Sequence, residues 1–147
     1  MKLAIQGTCL CNTVQLGVAR MPRQVTQCSC SVCRRYGTLW AYYPRSSVLI
    51  DAPRGALEEF SRRPRGLKFV RCKGCGCVIC WDSRSKDPER RLGINTRLLD
   101  PALMAGVPVK VLDGDKTWRS LGTYAKPEIW RSPPPAVRAS TKRPARR

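Results

Sequence analysis

This sequence predicts a mostly β domain pinned by metal and containing little helix. Three observations carry that expectation. Nine cysteines fall almost entirely into three tight clusters, a density of thiols that suits zinc. Between the clusters run short apolar or alternating segments broken by glycine and proline, the pattern of brief strands joined by turns. Helix signals are confined to two short stretches.

Taken in chain order, residues 4–6 and 14–18 flank the first cysteine pair like the arms of a hairpin, the second with period-two alternation. Further strands are predicted over 39–43, 48–50, 56–60, 67–70, 78–81, 92–95 and 107–112. Pro44, Pro53, Pro64 and Pro88 punctuate the connections, where no ladder donor is needed. The stretch 100–106 has the marks of a two-turn helix: Asp100 as N-cap, Pro101 at the first helical position and Gly106 just beyond the end. Residues 31–36 form a second turn that carries Cys33 back toward Cys28 and Cys30. Asp113-Gly114 reads as a turn and Trp118 as a core anchor, neither with a catalytic part. Trp40, Tyr42 and Tyr43 read as core, with pocket lining the lesser expectation.

The cysteines decide the chemistry. An odd count leaves one thiol unpaired, and cysteines two apart do not bridge easily to each other. The first residues turn polar too early for a signal peptide, so the expected setting is cytoplasmic, where thiols stay reduced. Metal ligation is then the better reading. Cys72-Lys73-Gly74-Cys75-Gly76 has the form of a zinc-ribbon knuckle, with glycines free to aim backbone N–H groups at the sulfurs. A knuckle supplies two ligands. Cys9 and Cys11, alternate residues on an extended chain, present two more from one side, making a closed structural zinc site. Cys28, Cys30 and Cys33 make a second site of three sulfurs, with one tetrahedral position open for chemistry. Two zinc ions per chain are expected. Cys80, within Val78-Ile79-Cys80-Trp81, reads as a small buried hydrophobe, and Cys77 as a thiol beside the knuckle, with exchange for a knuckle ligand or approach to the open site the lesser expectation.

The chain of 147 residues suits one domain with a modest core, and no run approaches a membrane-spanning length. Its net charge is +18; seven thiolates and two divalent ions together lower that by three, to +15. The stretch 131–147 holds six basic residues, no acidic ones and Pro133-Pro134-Pro135. It reads as a disordered basic tail beyond a folded unit over 1–130, able to attract nucleic acid or another polyanion without specificity. The chain has no histidine, so the usual general base near neutral pH is missing.

These motifs, in this order, resemble the glutathione-dependent formaldehyde-activating enzyme family, which includes centromere protein V. The resemblance rests on Gly7-Thr8-Cys9-Leu10-Cys11, on Cys28-Ser29-Cys30-Ser31-Val32-Cys33-Arg34-Arg35, and on Phe69-Val70-Arg71-Cys72-Lys73-Gly74-Cys75-Gly76. It continues into residues 93–100 and covers about residues 3–124. It implies several small coiled β-sheets of the Mss4-like (β-tent) type. It also implies a structural zinc on Cys9, Cys11, Cys72 and Cys75, and a catalytic zinc on Cys28, Cys30 and Cys33. The activity it implies joins glutathione to formaldehyde, giving S-hydroxymethylglutathione, and is classed as a carbon–sulfur lyase. Leu10 and Ser29 stand where relatives often have histidine, and Cys77 where a small hydroxyl residue is common.

The residues agree with part of that chemistry. A substrate thiol held as thiolate at an open zinc position would attack an aldehyde carbon, with Arg34 and Arg35 clamping the carboxylates of glutathione. The alternative is a non-catalytic zinc-binding module whose basic tail engages nucleic acid or another polyanion. A redox or metal-sensing role for Cys77 and the three-sulfur site is a third reading.

Overall fold

The computed structural model describes residues 2–61 and 66–125. The expected tail at 131–147 lies outside the described residues, as does the end of the 1–130 unit. The described residues contain eleven strands: β1 (Ile5–Thr8), β2 (Gln15–Val18), β3 (Val25–Cys28), β4 (Trp40–Pro44), β5 (Val48–Asp51), β6 (Leu57–Phe60), β7 (Lys68–Cys72), β8 (Val78–Asp82), β9 (Arg91–Asn95), β10 (Pro108–Leu112) and β11 (Ser120–Ala125). One helical turn, α1 (Cys33–Tyr36), and two 3₁₀ turns, Arg45–Ser47 and Thr96–Leu98, complete it. The protein is mostly β, as the sequence predicts. No helix among the described residues is long and apolar enough to cross a membrane.

The strands form two sheets, one of three in the order β1-β2-β5 and one of eight in the order β11-β10-β3-β4-β9-β8-β7-β6. Leu16, Val18 and Val48 from the small sheet meet Ile79, Leu92 and Ile94 from the large one in the main core. A second, smaller core of Cys28, Cys33, Trp40 and Val78 lies beneath the three-cysteine cluster. β4 serves both through the alternation of side chains along a strand: Ala41 and Tyr43 pack into the main core, while Trp40 and Tyr42 belong to the other face. The expectation that all three aromatics are core is therefore split by the pleat.

Two strands escape the sequence reading. β3 is only four residues long, and its long partnership is the parallel ladder with β10, Val109↔Val25 through Leu112↔Cys28. β11 is exposed at every position and owes its form to pairing with β10. The two-turn helix expected over 100–106 is absent. Asp100 Oδ1 does accept from the Ala102 N–H, 2.9 Å, as an N-cap would. Met104 N–H then reaches both the Asp100 and Pro101 carbonyls at 3.2 Å, and Ala105 only that of Ala102. The segment is a run of turns ending at Gly106, with φ of 71°. Met104 is fully buried but Leu103 is half exposed, so the stretch has one anchor rather than the apolar face that stabilises a helix.

Candidate metal centres

The first group joins the turn after β1 to the hairpin between β7 and β8. The Sγ atoms of Cys9, Cys11, Cys72 and Cys75 all lie within 4.8 Å of one another. Cys9 and Cys11 sulfurs are 3.5 Å apart, and those of Cys11 and Cys72 are 3.6 Å apart. Four sulfurs about 2.3 Å from a common centre have tetrahedral edges of about 3.8 Å, so the donor set fits zinc. The extended backbone expected at Cys9-Leu10-Cys11 is instead a turn, closed by Asn12 N–H on the Cys9 carbonyl at 2.9 Å, with Asn12 at φ 60°. That curl, not strand alternation, brings both sulfurs to one side. The knuckle is closed by Gly76 N–H on the Cys72 carbonyl, also 2.9 Å, with Gly76 at φ 74°.

Backbone donors aim at these sulfurs. Val14 N–H points at Cys9 Sγ, 3.3 Å. Burial pushes the Cys75 thiol up, but the Cys77 and Cys11 N–H groups and the neighbouring sulfurs outweigh it and hold it near 6. At Cys72 the Cys75 N–H acts in the same direction, yet burial and the Cys11 and Cys75 sulfurs push its thiol to about 11. Sulfurs this close cannot all shed protons unaided, and a divalent cation relieves that conflict by taking four thiolates at once.

The second group is Cys28 at the end of β3, Cys30 in the following turn and Cys33 at the start of α1, again with sulfurs within 4.8 Å of one another. Arg34 N–H on the Cys30 carbonyl and Tyr36 N–H on that of Val32 wind the turn, and Gly37 at φ 62° ends it. Cys33 N–H reaches Cys30 Sγ at 3.5 Å, and Trp40 Nε1–H donates to Cys33 Sγ at 3.2 Å. Burial, with the Cys28 and Cys30 sulfurs close by, pushes the Cys33 thiol up to about 12. This donor set also fits a soft divalent ion, with three ligands supplied by the chain. Cys77 is not among them: it packs on the main core, and the sulfurs near enough to act on its thiol are Cys75 and Cys9 of the other group. Cys80 is buried in the main core.

Two hollows flank the three sulfurs. A cleft of about 630 Å³ is lined by Cys28, Cys30 and Cys33 together with Trp40, Tyr42, Phe69, Trp81 and Trp118. A smaller one of about 270 Å³ shares Cys28 and Cys33 and is lined by Arg34 and Arg97. The arginine pair is thus parted by helical rotation. Arg35 lines a third hollow beside Tyr36 and Phe60, and its Nη1 donates to the Ser31 carbonyl at 2.7 Å. Arg97 comes from the 3₁₀ turn after β9, where it donates to the Gly37 carbonyl. Asn95 sets that turn: its amide donates to the Val78 carbonyl at 2.9 Å and accepts from Arg97 N–H at 3.3 Å.

The loop after β10, to which the sequence reading gives no catalytic part, forms a wall of the large cleft through Gly114, Asp115 and Trp118. A Cβ on Gly114 would overlap Cys28 Sγ and crowd Cys30 Cβ. Asp113 shapes the loop, accepting from Lys116 N–H, Thr117 N–H and the Thr117 hydroxyl at 3.2, 3.1 and 2.8 Å. Trp118, expected as a core anchor, is 68% exposed with φ 58°. In the sequence this wall is marked by the Asp-Gly turn and Trp118, and nothing in either points to sulfur.

Residues 4–108 match the family described as glutathione-dependent formaldehyde-activating enzyme. All nine cysteines fall inside that span, in the arrangement just described. The chain belongs to this family. A crystal structure of a Rhodobacter sphaeroides protein superposes with a TM-score of 0.55 at 27% identity, covering 65% of this chain and 87% of that one. No curated protein matches the chain. The family match stops at residue 108, before the Gly114 to Trp118 wall.

Proposed function

We propose that this protein is a zinc-dependent enzyme that joins a thiol to an aldehyde and, in reverse, cleaves the carbon–sulfur bond of the adduct. Glutathione with formaldehyde is the case the family description names. One observation carries the reading: four sulfurs converge in one group, whereas the other offers three, set between two hollows. Zinc bound to Cys28, Cys30 and Cys33 would supply a position that keeps a substrate thiol as its thiolate. A second zinc on Cys9, Cys11, Cys72 and Cys75 would be structural, giving two per chain.

The chain's own groups support each part. Trp40 Nε1–H on Cys33 Sγ and Cys33 N–H on Cys30 Sγ orient the ligands. Arg34 and Arg97 put positive charge beside Cys28 and Cys33, which suits the carboxylates of glutathione. Arg35 adds charge from the next face of the same turn. With no histidine in the chain, water or the substrate's own groups carry protons. A cytoplasmic setting keeps the thiols reduced, and the basic stretch 131–147 gives an independent, unspecific contact with polyanions.

Zinc-edge spectroscopy on the zinc-loaded protein tests the reading. Adding glutathione is expected to raise the mean sulfur number by about half an atom per zinc, because one site of two gains a ligand. Cys30→Ser should abolish that change while keeping the other zinc, and Arg34→Ala should weaken glutathione binding by roughly tenfold. Spectra indifferent to glutathione would make both metals structural.

A further inference from the structure

The two hollows beside the three sulfurs differ in size and chemistry, and a thiol–aldehyde reaction has two substrates to place. Arg34 and Arg97 both line the smaller hollow. Among the described residues lining the larger one, the only charged side chain is Asp115. A tripeptide thiol with two carboxylates is drawn to the first, where two guanidinium groups lie beside Cys28 and Cys33. The larger cleft is therefore left for the carbonyl partner.

Formaldehyde is a poor match for that space. It is little bigger than water, whose share of volume is about 30 Å³, and the cleft holds about 630 Å³. The walls are also built for a flat apolar body. Gly93 lies opposite both Tyr42 and Trp81 in the ladder, and a Cβ there would overlap the Trp81 indole. The missing side chain lets Trp81 lie over the strand, with its ring centroid 5.8 Å from that of Tyr42. Phe69 continues this surface at 6.4 Å from Trp40. Trp118 also lines the cleft and is exposed on a loop held by Asp113, an aromatic face without a core to serve. Aromatic walls around a few polar groups are the usual makeup of a small-molecule site, and ring-on-ring contact adds to simple burial.

Resting on the thiol–aldehyde reading above, we propose that the carbonyl substrate is an aromatic aldehyde seated in this cleft, with Trp118 as a specificity-determining residue. The thiolate sulfur forms the new bond to the carbonyl carbon, and the C=O π pair moves onto oxygen. That oxygen takes a proton from water, replacing the one the thiol released. The product is a hemithioacetal, and nothing is oxidised or reduced.

The test is calorimetry on the zinc-loaded full chain without thiol, using benzaldehyde, benzyl alcohol and acetaldehyde. Both ring compounds should bind at least about tenfold more tightly than acetaldehyde. Trp118→Ala should remove most of that preference, Trp118→Phe should restore it, and Arg34→Ala should leave it intact. Because Trp118 is exposed, its variants are expected to keep the parent's melting temperature, which is measured alongside. Equal binding of the three probes, or a ring preference untouched by Trp118→Ala, overturns the proposal. So does benzyl mercaptan displacing bound benzyl alcohol while also adding a sulfur to zinc, since the ring would then arrive on the thiol. Ring binding that depends on Trp118, with zinc spectra indifferent to glutathione, would retain the aromatic cleft and discard the thiol chemistry.

Discussion

Gly114 holds its place for want of room. Its backbone passes so near the three sulfurs that any Cβ would overlap Cys28 Sγ. Gly114→Ala should therefore displace Cys28 and weaken the second zinc equivalent by roughly 10- to 100-fold, the usual cost of disturbing a ligand's support. Lys116→Ala, an exposed change in the same loop, should leave both equivalents intact. Competition with a chromophoric chelator reads the two affinities separately, and an unaltered second equivalent in Gly114→Ala would show that the loop yields. The cysteines themselves are legible in the sequence because ligand spacing is a local property. Gly114 is not, since only folding brings residue 114 to residue 28.

At the scale of elements, the β7–β8 hairpin is the structural hinge of the molecule. Its knuckle residues Cys72 and Cys75 meet the turn after β1, linking the edge of one sheet to a strand of the other. Because the sulfurs gather only in the folded chain, the energy of binding metal there is largely folding energy. Cys72→Ser should lose one zinc and lower the melting temperature by about 10 °C or more, with a broadened transition. Scanning calorimetry with parallel metal analysis would check it, and full zinc content at the parent's melting point would refute the pairing. The elements that defeat sequence reading share a cause. β3 is four residues held by β10 from far along the chain, β11 is exposed throughout and paired to its neighbour β10, and residues 100–106 carry helix end signals without an apolar face between them; none has an apolar pattern long enough to declare itself.

For the molecule as a whole, about a third of the net charge is expected to be dispensable for the fold. Residues 131–147 carry six basic and no acidic side chains, so removing them lowers the net charge from +18 to +12. The truncated chain should melt within about 2 °C of the parent, keep both zinc equivalents, and bind heparin more weakly and with less dependence on salt. A large loss of stability would mean that the stretch packs against the sheets.

The division of seven cysteines into groups of four and three, and the mostly β character, are determined by the sequence alone. Each depends on residues within a few positions of one another: a CxC, a CxxC, an alternating run. What surrounds the three sulfurs was decided only in three dimensions. Arg34 and Arg35 are neighbours in the chain, yet one turn of helix sends them to different hollows. Arg97, Trp81 and Trp118, remote in sequence, converge on the same cysteines because β10 pairs in parallel with β3 and β9 lies beside β4. The cysteine groups are written in short spacings, whereas the shape of the cleft beside them depends on which strands come to lie side by side.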